Sequence, residues 1–594
     1  MVTPQSRQRA RQAFAVFLLI AVGAGALALA SSARLEPADF TFNNGTEVTT
    51  LDPATVTGVP EGRVIRAIFE GLVVKDPETL EPVPGMAESW LVSEDGLTYT
   101  FNIRQNAKWS NGDPVTAEDF VYSFERFLNP ATAAEYAYQL WYVKGARDYT
   151  TKVGDDGKPT KPWDSVGIRA LDRFTLEMVL HSPTPFFMDL MGFYPLFPVN
   201  RRNIEEAREQ FPKRWTIEWL KPENIVTNGP YKVDFRRVND RIRLVKNPDY
   251  WDADNVAFET IDALAIEQWT TGLNFYLTGG CHWVDKVPPT AITELLKRED
   301  FRPRPYLGTY FYRVNVTRAP GDDPRIRRAL SLTIDRRKIC EKITKAGQVP
   351  AYGLVPPGMK RYVPAEAEKE DVERARVLLA EAGYGPGGKP LPTIEIHYNT
   401  SETHRDIAEF IGDTWKRELG LNVKYLNQEW KVYLDTQQNL QYDVSRAAWI
   451  GDYNEPNTFL DMFVTDGENN KTGWGNPEYD RLIESAAREF DPEKRMEILR
   501  SAEEILVSEL PILPIYFYVT QNVVHPRLGG FHYNVQDEHF PKFWYWMDEA
   551  ELAKKREAYR REFGRELERV DTPIPHPNGL YSPAARRARL RGPR

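Results

Sequence analysis

From Phe40 to about Asp548 the chain alternates strand-like and helix-like runs, and the alternation has no regular period. A single doubly wound sheet needs a steady strand–helix beat, so this pattern excludes it and leaves a multi-lobed α/β architecture. Runs at 40–42, 47–51, 97–103, 168–180, 231–235, 242–244, 306–316, 394–398 and 422–426 carry the alternation or β-branched and aromatic content of strands. Spacing close to helical appears at 63–72, where Val64, Ile65, Ile68, Phe69 and Leu72 share one face, a helix is read at 404–418, and 373–382 belongs to the same α/β run. Thr116 with Asp119 forms a capping box, and Asp323-Pro324 opens a helix over 325–334. At 594 residues and 42% hydrophobic, the chain has ample material for several cores.

The two ends differ from this body. Arg7, Arg9 and Arg11 precede an apolar run over 13–30, followed by Ser31, Ser32 and Ala33. Residues 1–33 therefore read as a signal peptide or an N-terminal membrane anchor: Ala28-Leu29-Ala30 suits a signal peptidase, and the run has the roughly 18 residues at which a membrane helix forms. The first cysteine is Cys281, so no lipid-anchor cysteine stands near it. Residues 549–594 read as a charged helix and a basic tail, the tail carrying Arg586, Arg587, Arg589, Arg591 and Arg594.

The net charge of −9, with acids and bases interspersed, argues against nucleic acid as a partner. Cys281 and Cys340 are too few for a disulfide framework; one bridge and two buried thiols both fit. The eight histidines show no compact ligand spacing, and His525, His532 and His539 recur at sevens across Pro526, Gly529 and Gly530, which rule out one continuous helix. No metal or cofactor is expected. The chain has no HExxH, GxSxG or SxxK arrangement and no cysteine-centred site, so an exported peptidase is disfavoured.

Residues 446–463, RAAWIGDYNEPNTFLDMF, concentrate the binding chemistry. A cation (Arg446), a flat apolar surface (Trp449) and an anion (Asp452) fall within seven positions, where an extended run gives way to a turn at Asn454 and Pro456. Arg446, Ala448 and Ile450 share one side of that run; Ala447, Trp449 and Gly451 share the other. Small side chains here would let a second extended chain lie close and exchange backbone hydrogen bonds, with Asp452 placed to hold an ammonium group; the residues alone equally allow Trp449 as core and Asp452 as the side chain of an Asx-turn.

The body from about Phe40 to about Asp548 resembles the family 5 extracellular solute-binding proteins of bacterial ABC importers. The resemblance rests on Leu51-Asp52-Pro53, Phe69-Glu70-Gly71-Leu72, Glu88-Ser89-Trp90, the run KWSNGDPVTAEDFVYS at 108–123, and Thr227-Asn228-Gly229-Pro230-Tyr231. Asn399-Thr400-Ser401, Asn427-Gln428-Glu429-Trp430 and Asp452-Tyr453-Asn454-Glu455-Pro456 look closest to its oligopeptide branch.

The resemblance implies a two-lobed, periplasmic-binding-protein-like fold (type II, cluster C) with a hinged cleft. Its parts would be a discontinuous lobe I at 34–69, 194–307 and 519–548, a subdomain II at 70–193, and a lobe III at 308–518. It implies a monomer, periplasmic or in the cell envelope, that captures short peptides in extended form and delivers them to an ABC permease and its ATPase subunits. In that family the residue matching Asp452 pairs with the peptide ammonium. Backbone at the positions of Val59, Ala448 and Ile450 pairs with the peptide. Those of Arg446 and His404 hold its carboxylate, Trp430 and Trp449 line side-chain pockets, and Tyr136 and Asn274 lie near the cleft. Departures from the pattern are Gly308 and Ile450 in place of a disulfide pair, Gln437 for an arginine and Arg313 for a glutamate. A membrane-tethered peptide sensor or chaperone, or a family member taking a non-peptide solute, is the alternative reading.

Overall fold

The computed structural model describes residues 35–570 except 360, 386, 387, 391, 429 and 468, with backbone alone at 430 and 431. The expected leader or anchor at 1–33 and the tail beyond 570 lie outside the described residues. Among those described, no helix is long and apolar enough to cross a membrane.

Two six-stranded sheets and a four-stranded one organise the chain. In the first, Phe40–Asn43 is central, parallel to Thr260–Leu264 and Trp283–Val284; Arg241–Lys246, Tyr231–Arg237 and Val523–Val524 add antiparallel. In the second, Pro305–Val314 lies between Ile512–Val519 and Val444–Ile450, antiparallel to both. Thr393–Asn399 and Asn422–Gln428 continue that sheet in parallel, and Val349–Pro350 closes its other side. The third, Ala87–Val92, Thr98–Ile103, Thr175–Val179 and Ile168–Asp172, is wholly antiparallel.

Local sequence explains most of these elements. Thr98–Ile103 alternates half-buried and buried side chains as its pattern predicts. Ala117–Leu128 starts from the Thr116–Asp119 capping box, with both reciprocal bonds formed. Glu402–Leu419 is capped by Ser401 and stopped by Gly420 at φ +68°, a left-handed turn that glycine adopts without a Cβ penalty. It buries Ile407, Ile411 and Trp415 on one stripe, each burial contributing roughly 1.5–3 kcal/mol against about 1 kcal/mol for the cap. Packing therefore fixes this helix more than capping does.

Three expectations shift. Residues 47–51 form no strand: the Glu47 carboxylate is committed to Arg236 and to the Asn239 amide, and Glu61 takes the Thr49 amide. The helix expected over 63–72 runs Val59–Ile68, because Pro60 suits a helical first turn and the Phe69 to Leu72 apolar run continues the core after it has ended. The run at 168–180 is a hairpin, broken where Asp172 accepts from the Phe174 amide and the Thr175 hydroxyl. Cys281 and Cys340 are both free and buried in separate cores.

Candidate functional site

The strand Val444–Ile450 carries an uncovered edge. The Gly451 amide donates to the Leu307 carbonyl at 2.8 Å, and the register sets Ile450 opposite Gly308, Trp449 opposite Thr309 and Ala448 opposite Tyr310. Alternate residues of an antiparallel pair bond to the partner strand while those between turn their groups away. Residues 447, 449 and 451 thus bond to 305–314, and the backbone groups of Ala448 and Ile450 face the other side. On that side 393–399 pairs only with Val444 and Ser445. The Arg446 carbonyl is taken by the Tyr433 hydroxyl and by Gln437 Nε2 at 2.8 Å, so the uncovered stretch begins just beyond it.

Arg446 marks the start of this edge. Its guanidinium is buried 4.8 Å over the Tyr310 ring, donating at 3.4 Å to Asn399 Oδ1 and at 3.2 Å to the Tyr518 hydroxyl. Nε has no partner, and among the described residues no carboxylate pairs with the group. His404, in the first turn of Glu402–Leu419, meets the same Tyr310: its Nδ1 is 3.3 Å from the hydroxyl. Burial, and then the Arg446 charge, push the imidazole down to about 3, so it is neutral at physiological pH.

Asp452 stands past the other end. Its amide donates to Thr458 Oγ1 at 3.1 Å and its carbonyl accepts from Gln536 at 3.4 Å, which fixes the backbone. Among the described residues no hydrogen bond or ion pair reaches its carboxylate, and burial alone raises it to about 6. Asp461 is raised to about 7 by burial and then by the Asp452 and Glu455 charges. Arg495 cannot neutralise Asp452, being engaged with Glu455 at 2.7 Å. The arrangement can receive an anion at Arg446, a cation at Asp452 and an extended backbone between them.

The other predicted residues divide. Trp449 is half-buried against the core beneath the strand, its indole N–H without a partner. Tyr136 rests edge-on against Phe193 at 5.1 Å, and burial together with the Asp452 charge raises its hydroxyl, as it does that of Tyr138; both therefore face the anionic end. Val59 is exposed, but it opens a helix and is not itself a strand residue; the extended backbone lies one position earlier, at Gly58. Proline at position 60 sets that boundary. Asn274 is exposed on Trp269–Leu277, where its carbonyl bonds the Thr278 amide, and no contact joins it to Asp452 or Arg446. The Trp430 side chain lies outside the described residues.

Sequence reading missed the aromatic floor under Arg446. Tyr310 stacks on Tyr516 at 4.7 Å, and Tyr518 closes on both. The reading of 306–316 as a strand gave Tyr310 an extended backbone but no face, and Tyr516 and Tyr518 lay outside every strand read from the sequence. It also missed Gln536, which joins the Asp452 carbonyl to Lys75 (2.9 Å), and the stack of Phe186 on Tyr453 at 4.5 Å. Gly308 and Ile450, named from the resemblance, are direct cross-strand neighbours.

A two-lobed α/β chain with a charged, uncovered strand edge has the build of an extracellular solute-binding protein. The chain belongs to the bacterial extracellular solute-binding proteins of family 5: the model described as family 5 Middle matches residues 81–471. The periplasmic oligopeptide-binding protein OppA of Salmonella typhimurium is 40% identical over 498 residues, covering 82% of this chain and 89% of its own. The periplasmic murein peptide-binding protein MppA of Escherichia coli is 38% identical, with the same shares covered. Among solved structures, MppA in an unliganded open form superposes with a TM-score of 0.75 at 36% identity, covering 87% of this chain and 99% of that one. Haemophilus influenzae OppA in complex with RPPGFSPFR gives 0.69 at 35%, covering 87% and 100%.

Proposed function

We propose that this protein captures short peptides in an extended conformation between two lobes and passes them to an ABC permease with its ATPase subunits, without catalysing a reaction. The observation that carries the reading is the pair of unmatched charges, Arg446 and Asp452, at opposite ends of one uncovered strand edge. The OppA and MppA relatives support it by what they are named for binding.

Each site residue then has a role. The Asp452 carboxylate receives the peptide ammonium. The backbone groups of Ala448 and Ile450 pair with the peptide, which reads no side chains and so tolerates varied sequence. Arg446 and neutral His404 hold the carboxylate, the nearer or farther one according to peptide length. Trp449, Trp430 and Tyr136 wall side-chain pockets, with Val59 and Asn274 at the rim of the other lobe. The six steps from Arg446 to Asp452 span at most about 20 Å at roughly 3.3 Å per residue, which bounds the separation of the ligand's two ends.

We assign 34–69, 194–307 and 519–548 to the lobe of the first sheet, 70–193 to that of the third and 308–518 to that of the second, the second sheet's outermost strand residues, 305–307 and 519, falling just across these bounds. The protein acts as a monomer in the periplasm or cell envelope, released by cleavage of residues 1–33 or tethered by them. Calorimetry with a free tripeptide, its N-acetylated form and its C-terminal amide tests the reading. Each blocked end lowers affinity at least thirtyfold, the amide's penalty disappearing in Arg446→Met; equal binding of all three forms contradicts the assignment of both ends.

A further inference from the structure

Among the described residues the chain passes between the two six-stranded sheets twice, at residues 302–304 and 520–522, and these crossings are tied together. The Arg304 amide donates to Thr520 Oγ1 at 3.1 Å and the Thr520 amide to the Arg304 carbonyl at 2.9 Å. Immediately beyond, Pro305 pairs with Val519 at the start of the second sheet. Any rotation of one sheet's lobe against the other must be absorbed by dihedral changes in these few residues.

The C-terminal helix Glu549–Phe563 lies on this crossing. It starts from a capping box between Asp548 and Glu551, but only Leu552 is buried, and a helix of this length is marginal alone in water. Tertiary contacts hold it, and they fall in two groups. One group fixes it to the first-sheet side: Arg556 makes two bonds to Glu299 (2.6 and 2.7 Å) and Lys555 bonds the Pro526 carbonyl at 3.0 Å. Beyond Gly564 the chain returns: the Glu568 amide bonds the Lys297 carbonyl at 2.9 Å, the Glu299 amide bonds the Glu568 carbonyl at 3.0 Å, and the Val570 amide bonds Glu299.

The other group grips the crossing itself. Glu562 receives both terminal nitrogens of Arg304, Nη2 at 2.9 Å. Tyr559 and Phe563 set their rings against Arg302, 5.6 and 5.0 Å from its guanidinium carbon. Arg302 is buried, has no carboxylate partner among the described residues, and leaves Nε and Nη2 without hydrogen bonds. Ring faces supplied by the C-terminal helix thus stabilise a cation that the crossing does not neutralise for itself.

We propose that residues 549–570 are a clamp on the hinge: anchored to one lobe through Glu299 and Pro526, the segment holds Arg302 and Arg304 and so restricts the range and speed of lobe opening. This rests on the reading that the lobes open and close around a solute, while the restriction itself is measurable with no ligand present. The clamp touches no residue of the Arg446–Asp452 edge. Its release therefore accelerates peptide entry and departure together and leaves the ratio nearly fixed.

The test uses the full chain carrying Glu562→Gln and Phe563→Ala together, beside Glu557→Gln, a control on the same helix whose carboxylate pairs only within the helix, with Arg560 and Arg561. Spin labels at Val238→Cys and Val377→Cys, both exposed positions on opposite lobes, report the interlobe distance by pulsed electron resonance; Cys281 and Cys340 are buried. Without ligand, the double variant at least doubles the width of the distance distribution and the control leaves it unchanged. Hydrogen exchange at 300–306 rises at least tenfold in the double variant. An unchanged width, or the same broadening in the control, overturns the clamp. In stopped-flow measurements with a tripeptide, association and dissociation both quicken at least threefold; a wild type that binds no tripeptide contradicts the peptide reading and leaves the distance result to judge the clamp.

Discussion

Arg446 and Asp452 bracket the uncovered edge of one strand, six positions apart, and neither meets an opposite charge among the described residues. A buried charge without a counter-ion is costly, and a ligand is one source of the missing partner. Under the proposed function the two residues set the polarity of the ligand: cationic beside Asp452, anionic beside Arg446.

Replacing Asp452 by Asn separates binding from folding. Loss of one partner in a desolvated ion pair lowers peptide affinity by roughly 2–5 kcal/mol, about 30- to 4000-fold. Stability moves the other way. Asp452 titrates higher in the fold than the roughly 3.9 of an unfolded aspartate, so its stabilising contribution is present below that value and lost as pH rises through about 6. At pH 7 the Asn variant without ligand is more stable by roughly 1–3 kcal/mol. Urea unfolding beside calorimetry checks both signs; a variant that binds normally or unfolds earlier contradicts the account.

Affinity follows a bell-shaped pH curve. The Asp452 carboxyl, at about 6 in the free protein, must ionise to bind ammonium, so affinity drops about tenfold between pH 7 and pH 5. Above about pH 8 it falls again as the peptide amine, with its pKa near 7.7–8.0, loses its proton. Titration calorimetry from pH 5 to 9 reveals the two limbs, and Asp452→Asn flattens the acid one.

Ala448→Pro tests the strand edge. The Ala448 amide faces away from 305–314, so proline removes no bond of the sheet and the fold persists. The variant loses one peptide hydrogen bond and meets the ring in its place, and binding weakens at least tenfold. Trp449→Pro, which removes a sheet bond instead, lowers the melting temperature.

Gly308 and Ile450 face each other in a non-hydrogen-bonded pair, where Cα atoms lie about 4.5 Å apart. A Cβ added at Gly308 would stand 2.3 Å from Ile450 Cδ1, the end of an exposed side chain that must turn aside to admit it, and replacing Ile450 by cysteine removes that contact. The double variant Gly308→Cys, Ile450→Cys forms a disulfide and raises stability by about 2–4 kcal/mol over its reduced form. Mass spectrometry after thiol alkylation, and melting with and without reductant, measure both.

Legibility in the sequence tracked how local each determinant is. The Thr116–Asp119 box, the Asp323-Pro324 start and the strand at 98–103 are set by neighbours along the chain, and the structure forms them. The adjacency of Arg446, Trp449 and Asp452 is local in the same way, and the proposed site is built on it. His404 reached Arg446 only through Tyr310, a contact across 94 positions that no local pattern encodes. Glu47 to Leu51 looked like a strand and is not, because Arg236, 189 positions away, engages Glu47. The sharing of sheets among distant segments, Phe40–Asn43 beside Thr260–Leu264 and Trp283–Val284, is likewise a property of the assembled chain.

The most direct measurement is mass spectrometry of the small molecules released on denaturing protein purified from its native envelope, run beside Asp452→Ala. A ladder of short peptides on the wild type, absent from the variant, is the predicted result. A single non-peptide compound, or peptides held equally by both proteins, contradicts the claim that Asp452 and Arg446 select an extended peptide by its two ends.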